Sequence, residues 1–259
     1  MRMKRLKIQQ DGQIVTVYEQ NGAGHRTVVF LHGVGSTGKV WAYQMRGLRE
    51  AGRMIGIELP GLSGLGELPD TVQELSDLAP FVFRVLDALE VWEAVWVGNS
   101  LGGRIALEAS LTVPERVQGL VLACSAGVLL PEVHVPNLLE LPHSEMDRRL
   151  FWQPELFQVL QSDESRAATV RARHLYDQLA ARTRAIDLCD RLQEVQAKAL
   201  VIWGEHDGVI PLPIGAAVAA GIPDAQLLVL ERSAHVPQIE QPERVLDAIA
   251  TFLTELRAE

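Results

Sequence analysis

A chain of 259 residues has room for one sizeable hydrophobic core, although length alone would also allow two small domains. Apolar residues make up 47% and charged residues 22%, the profile of a globular protein rather than a disordered or fibrous one. A net charge of −9 and an isoelectric point near 5.3 argue against nucleic acid or an anionic membrane as the main partner.

The two cysteines, Cys124 and Cys189, have no CxxC spacing and no histidine cluster beside them. That speaks against a disulfide framework or a structural zinc site, and both read as small apolar residues. The N-terminal stretch MRMKRLKIQQDGQ is basic but has no apolar run behind it, so it does not read as a secretory signal. No window approaches the roughly 18 apolar residues of a membrane span. The expectation is a soluble cytoplasmic enzyme that acts on a small molecule, with no membrane or nucleic-acid partner.

Short apolar runs alternate with longer helical patterns, which points to an α/β fold with a largely parallel sheet. Leu6–Gln9 and Ile14–Glu19 read as the first strands, with Asp11-Gly12 as the hairpin turn between them. Thr27–Leu31 (TVVFL) is apolar throughout, as a central strand buried on both faces should be. Arg53–Leu59 is the next strand. Asp70–Glu90 reads as a helix with Asp70 as N-cap, kinked or restarted at Pro80. Ala94–Val97 and Val117–Ala123 are strands separated by a helix from Leu101 to about Leu111. Gly127–Asp190 breaks the rhythm, with early prolines followed by helical patterns rich in Arg, Glu, Leu and Ala. It reads as a helical insertion, which divides the chain into a core at 1–126 and 191–259 and an insertion at 127–190. Ala199–Trp203 and Gln226–Leu230 complete the strands, and Glu243–Leu256 is an amphipathic closing helix.

Chemistry concentrates at the carboxyl ends of these strands. Gly98-Asn99-Ser100-Leu101-Gly102 matches G-x-S-x-G between a buried strand and a helix. A tight turn there lifts a serine hydroxyl clear of the sheet, and its crowding requires small flanking residues. The following helix directs backbone N–H groups toward negative charge forming beside Ser100. A serine is a poor nucleophile without a base. Of the seven histidines, His235 lies in the loop after the last strand, on the edge that lines the crevice of a parallel sheet. The third member should be a carboxylate after the preceding strand, where Glu205 and Asp207 both stand. Its task would be to hold His235 in the correct tautomer. The loop His32-Gly33-Val34-Gly35 lies on the same edge. The backbone N–H groups of Val34 and Leu101 are the candidate oxyanion donors, while His32 reads as a structural brace.

Taken together, LHGVGSTGKVW (31–41), ELPGLSGLG (58–66), VGNSLGGRIAL (97–107), WGEHDGVIP (203–211) and SAHVPQIEQPE (233–243) resemble the α/β-hydrolase superfamily, in order and over essentially the whole chain. The resemblance selects Asp207 over Glu205, giving Ser100, Asp207 and His235 as the triad, in the superfamily's order of nucleophile, acid and histidine. It implies a mostly parallel sheet of about eight strands, flanked by helices and covered by a helical cap. It also implies a carboxylesterase-like activity with no metal and no organic cofactor. Haloalkane dehalogenases and epoxide hydrolases of this superfamily carry aspartate where Ser100 stands, so the resemblance argues against both. Glu58 stands where aspartate is usual, and Leu62 where histidine or an aromatic is common; that loop braces the site rather than reacting. Asn99 resembles the hydrolases that cleave carbon–carbon bonds in aromatic ring-fission products, although their longer glycine-rich loop is missing at His32–Gly35. GGRIAL is similar to the lyase-type relative of menaquinone biosynthesis.

Substrate contacts are sought in the insertion and beside the triad: Phe151, Trp152, Val209 and Val236 are the candidates. Val128, Leu129, Leu130, Phe157 and Leu160 could complete an apolar wall or pack within the cap. Arg148 and Arg149 read as a solvated face or as a carboxylate clamp. Three functions follow: ester hydrolysis through an acyl-enzyme, C–C hydrolysis or a lyase step with the same triad, and a small-ligand receptor of hydrolase fold.

Overall fold

The computed structural model describes residues 3–136, 141–158, 162–184 and 187–256. Eight strands form one sheet: β1 (Lys4–Gln10), β2 (Gln13–Gln20), β3 (Arg26–Leu31), β4 (Gly52–Ile57), β5 (Ala94–Asn99), β6 (Val117–Ala123), β7 (Ala199–Gly204) and β8 (Ala225–Leu230). Their order is β1-β2-β4-β3-β5-β6-β7-β8. β2 pairs antiparallel with β1 and β4, and every other pairing is parallel. The β1–β2 hairpin turns at Asp11 (φ 51°) and Gly12 (φ 78°), the left-handed pair that a two-residue hairpin demands.

The helices, in chain order, are α1 (Ala42–Gly47), α2 (Leu78–Ala88), α3 (Leu101–Thr112), α4 (His143–Leu150), α5 (Pro154–Gln158), α6 (Asp163–Arg182), α7 (Leu212–Gly221), α8 (Pro237–Glu240) and α9 (Pro242–Glu255). The central strands are apolar in succession because each face meets a separate layer. Val29, Leu31 and Trp96 pack with Phe81, Val85, Ile105 and Ile214 of α2, α3 and α7. Their neighbours Val28, Phe30, Val95 and Val97 pack with Met45 of α1 and with Ile249 and Phe252 of α9. Alternate side chains thus feed two cores on opposite faces, the signature of a parallel sheet wrapped on both sides.

One expected element changes. Residues 70–74 do not join the helix; a 3-10 turn at Leu75–Asp77 leads into α2, so Asp70 is not its cap. Pro80 is the reason. A helix running through it would bring its ring against the carbonyl of residue 76, whereas as the third residue of α2 it lies in the first turn, where no intrahelical N–H is needed. The described residues joining β6 to β7 contain α4, α5 and α6 and no strand. α6 is the longest helix, with Ser162 as a true N-cap: its side chain accepts from Ser165 N at 3.1 Å.

Candidate active site

The strand order reverses between β3 and β5, because β4 lies on one side of β3 and β5 on the other. A crevice opens at the carboxyl ends of strands at such a switch point. Two loops meet there, His32–Gly35 after β3 and the turn after β5.

Ser100 occupies that turn with φ 56° and ψ −117°, a conformation that L-residues rarely adopt. Backbone bonds hold it there: Ser100 N donates to Ala123 O at 3.0 Å, and Ala126 N donates to Ser100 O at 3.0 Å. The flanking glycines are obligatory. A Cβ on Gly98 would lie 2.2 Å from the backbone of Gly102, and one on Gly102 would lie 2.3 Å from Leu31 O. Asn99 donates from Nδ2 to Ala123 O (3.1 Å) and to His235 O (3.0 Å), so the residue before the serine fixes the backbone of the histidine.

Asp207 and His235 are buried together, with His235 Nδ1 donating to Asp207 Oδ2 at 2.9 Å. The other carboxylate oxygen of Asp207 accepts Val209 N (2.8 Å) and Ile210 N (2.9 Å). This leaves His235 Nε2 as the ring's acceptor. Glu205, the rival acid, is exposed and pairs with His206 at 3.3 Å. Ser100 and His235 line the same cavity, of about 420 Å³. Among the described residues no hydrogen bond joins them; such contacts are commonly long in unliganded enzymes and tighten on substrate. Val34 and Leu101 line that cavity too, and among the described residues neither backbone N–H has an acceptor.

His32 is wholly buried. Its Nδ1 donates to Gly33 O (2.7 Å) and its Nε2 accepts from Leu59 N (2.9 Å), so it bridges the β3 and β4 loops, and burial holds its pKa below the ordinary value. Glu58 accepts Gly38 N at 3.0 Å, and Leu62 O accepts Gly35 N at 2.8 Å, bracing the same loop.

Cys124, Asp207 and His235 bring one ligand atom each within 4.8 Å of one another. They fit a metal poorly. Burial raises the Cys124 thiol well above its ordinary pKa, which keeps it protonated, and Asp207 already has both oxygens engaged.

Of the candidate substrate contacts, Val209 and Val236 line the large cavity, as do Val128 and Leu129. Phe151 lines an adjoining chamber of about 150 Å³. Trp152 lines neither of these two chambers. Its backbone is held by Glu240 at 2.7 Å, and its ring stacks on His206 at 4.1 Å, which turns it outward. Leu130 packs against the core, the side chain of Phe157 is not described, and Leu160 lies outside the described residues. Arg148 faces solvent, and Arg149 pairs with Glu145 and donates to Gly208 O.

The cavity's charged residues were not foreseen. Arg104, one turn into α3, is buried and donates to Glu108 Oε1 at 2.7 Å. Arg173, on α6, lines both chambers at only 7% exposure. Among the described residues no hydrogen bond or ion pair engages its guanidinium. Burial lowers its pKa to about 10 against the opposing pull of Asp147 and Asp177. Tyr176 and Asp177 line the cavity beside it.

Residues 28–248 match the sequence profile described as the Alpha/beta hydrolase family. The chain belongs to that family. Among curated relatives, this hydrolase is 33% identical over 260 residues to a 2-hydroxy-6-oxononadienedioate/2-hydroxy-6-oxononatrienedioate hydrolase of Paraburkholderia phymatum, covering 91% of this chain and 90% of the relative. It is 30% identical over 249 residues to a pimeloyl-[acyl-carrier protein] methyl ester esterase of Edwardsiella ictaluri, covering 89% and 94%. Among solved structures, a serine hydrolase of Cycloclasticus zankles superposes with a TM-score of 0.81 at 21% identity, covering 98% of this hydrolase and 99% of that chain. No helix among the described residues is long and apolar enough to cross a membrane.

Proposed function

We propose that this member of the family is a serine hydrolase cleaving carboxylic esters of small or medium, mainly apolar substrates beneath a cap built by α4–α6. The observation that carries this reading is a serine on a strained turn sharing one cavity with a carboxylate-held histidine and two backbone N–H groups that have no acceptor among the described residues. Ser100 Oγ attacks the ester carbonyl carbon while His235 Nε2 takes its proton. The carbonyl oxygen becomes an oxyanion and accepts from Val34 N and Leu101 N. Collapse breaks the bond to the leaving oxygen, which His235 protonates, and the alcohol departs. Water then attacks the acyl-serine with His235 again as base, releasing the acid and restoring Ser100.

A second reading, hydrolysis of a C–C bond with the same three residues, is favoured by Arg173. A buried guanidinium that makes no hydrogen bond or ion pair among the described residues suits a substrate that brings its own carboxylate, and the Paraburkholderia relative is named for a dioate. The deciding assay is turnover of p-nitrophenyl esters of increasing acyl length by wild type and Ser100→Ala. Loss of the nucleophile should cost on the order of a millionfold. Activity in wild type alone supports the esterase, while inactivity of both turns the case toward C–C cleavage. Equal activity in both would overturn Ser100 as nucleophile.

A further inference from the structure

Glu240 ends α8, five residues beyond His235, and lines neither chamber. Its carboxylate nevertheless gathers three donors from two parts of the chain. Oε1 accepts Trp152 N at 2.7 Å; Oε2 accepts Ala234 N at 2.6 Å and Ser233 Oγ at 3.1 Å. Ser233 and Ala234 are buried and immediately precede His235. Trp152 belongs to the β6–β7 connection, in the strip 149–152 that spans the end of α4.

That strip meets the site at every step. Gly208 N donates to Arg149 O at 3.2 Å, next to Asp207, and His235 N donates to Leu150 O at 3.1 Å. The Trp152 ring lies on His206, whose own N–H donates to Ser233 O at 2.9 Å. Residues 149–152 therefore press on the acid loop and the histidine loop at once, and Glu240 binds the strip to the histidine loop. Only a group that accepts and never donates fits this position, because all three partners are donors. A glutamine would turn an NH₂ toward Trp152 N or toward Ala234 N.

We infer that Glu240 is a positioning residue: it couples the seating of strip 149–152 to the alignment of His235, so that the base is in register only when the strip is down. This rests on the reading of Ser100 and His235 as nucleophile and base. Small errors in the placement of a reacting group cost large factors in rate, and Glu240 itself lines neither chamber, so the effect falls mainly on kcat, with KM moved less, through Leu150 and Phe151.

The test compares wild type, Glu240→Gln and Glu240→Ala, each corrected for its folded fraction by circular dichroism. Two readouts are taken: kcat and KM for p-nitrophenyl butyrate, and the rate at which a fluorophosphonate labels Ser100. In Glu240→Ala, kcat and labelling should both fall at least about tenfold with KM within about threefold, and Glu240→Gln, which keeps one acceptor oxygen, should lie between. If the alanine variant does not fold, the glutamine variant decides: kcat and labelling both below wild type per folded molecule, with KM within about threefold. Turnover and labelling equal to wild type per folded molecule would overturn the inference, leaving Glu240 a purely structural contact. A raised KM at unchanged kcat would overturn it as well, by making Glu240 a shaper of the pocket. A wild type that the fluorophosphonate does not label refutes Ser100 itself, which is distinguishable because the variants then show no contrast.

Discussion

Replacing Asp207 by asparagine tests the acid–histidine pair with one atom changed. Oδ1 accepts Val209 N and Ile210 N, and Oδ2 accepts from His235 Nδ1. An amide has one acceptor oxygen and must choose. Turning its NH₂ toward the loop would leave two buried N–H donors unsatisfied, at about 1–3 kcal/mol each. The oxygen therefore stays with the loop and the NH₂ faces His235. His235 must then accept at Nδ1 and carry its proton on Nε2, the nitrogen that takes the proton of Ser100 in the proposed mechanism. The expected loss in kcat is on the order of ten-thousandfold, about 5.4 kcal/mol of transition-state stabilisation. Because the loop bonds survive, the thermal midpoint should stay within a few degrees of wild type. Steady-state turnover of p-nitrophenyl butyrate measures the first quantity and thermal unfolding the second. A variant retaining more than about a tenth of wild-type kcat would show that His235 does not work through Asp207.

Two further outcomes are expected. Arg173→Gln should raise KM for p-nitrophenyl hemisuccinate about tenfold or more, as expected when a charged hydrogen bond is lost, and leave KM for neutral p-nitrophenyl butyrate unchanged; equal changes for both esters would remove Arg173 as a carboxylate site. His32 is held neutral by burial, its pKa below the ordinary 6.5. As pH falls through 6.5 the unfolded chain binds that proton first, so stabilisation present above 6.5 is lost below it. The wild-type Tm should therefore fall on going from neutral pH to about pH 5, and fall less steeply in His32→Gln, with identical slopes counting against the argument.

The strained turn at Ser100 was legible because its constraint is local. Gly98, Ser100 and Gly102 must be small or strained within one turn, and the pattern carries that demand whatever lies around it. The strands were legible for a related reason: residues such as Val28 and Val29 face opposite cores, so both must be apolar. Asp70 misled because a capping residue is recognised by type, while Pro80 ten positions on decides where the helix can begin. At Trp152 aromatic character says nothing of direction, which depends on a backbone bond to Glu240 and on the His206 ring. Arg173 could not have been found locally. It sits among Arg166, Arg171 and Arg182 on one helix, and only the docking of α6 separates it from half-buried Arg166 and exposed Arg171 and Arg182. Glu240 lay inside a motif read for its histidine, and its partners stand 6, 7 and 88 residues away.

The way Ser100 is held has a practical consequence. Its place depends on its own amide and carbonyl, bonded to Ala123 and Ala126, and not on its hydroxyl. Removing that one oxygen should leave the turn, the donors of Val34 and Leu101 and the walls of the cavity undisturbed. On the proposed mechanism, Ser100→Ala is thus a bait that can hold a compound without consuming it. Incubated with fractionated metabolites, recovered, and read by mass spectrometry, it would let the protein select its own substrate from a mixture.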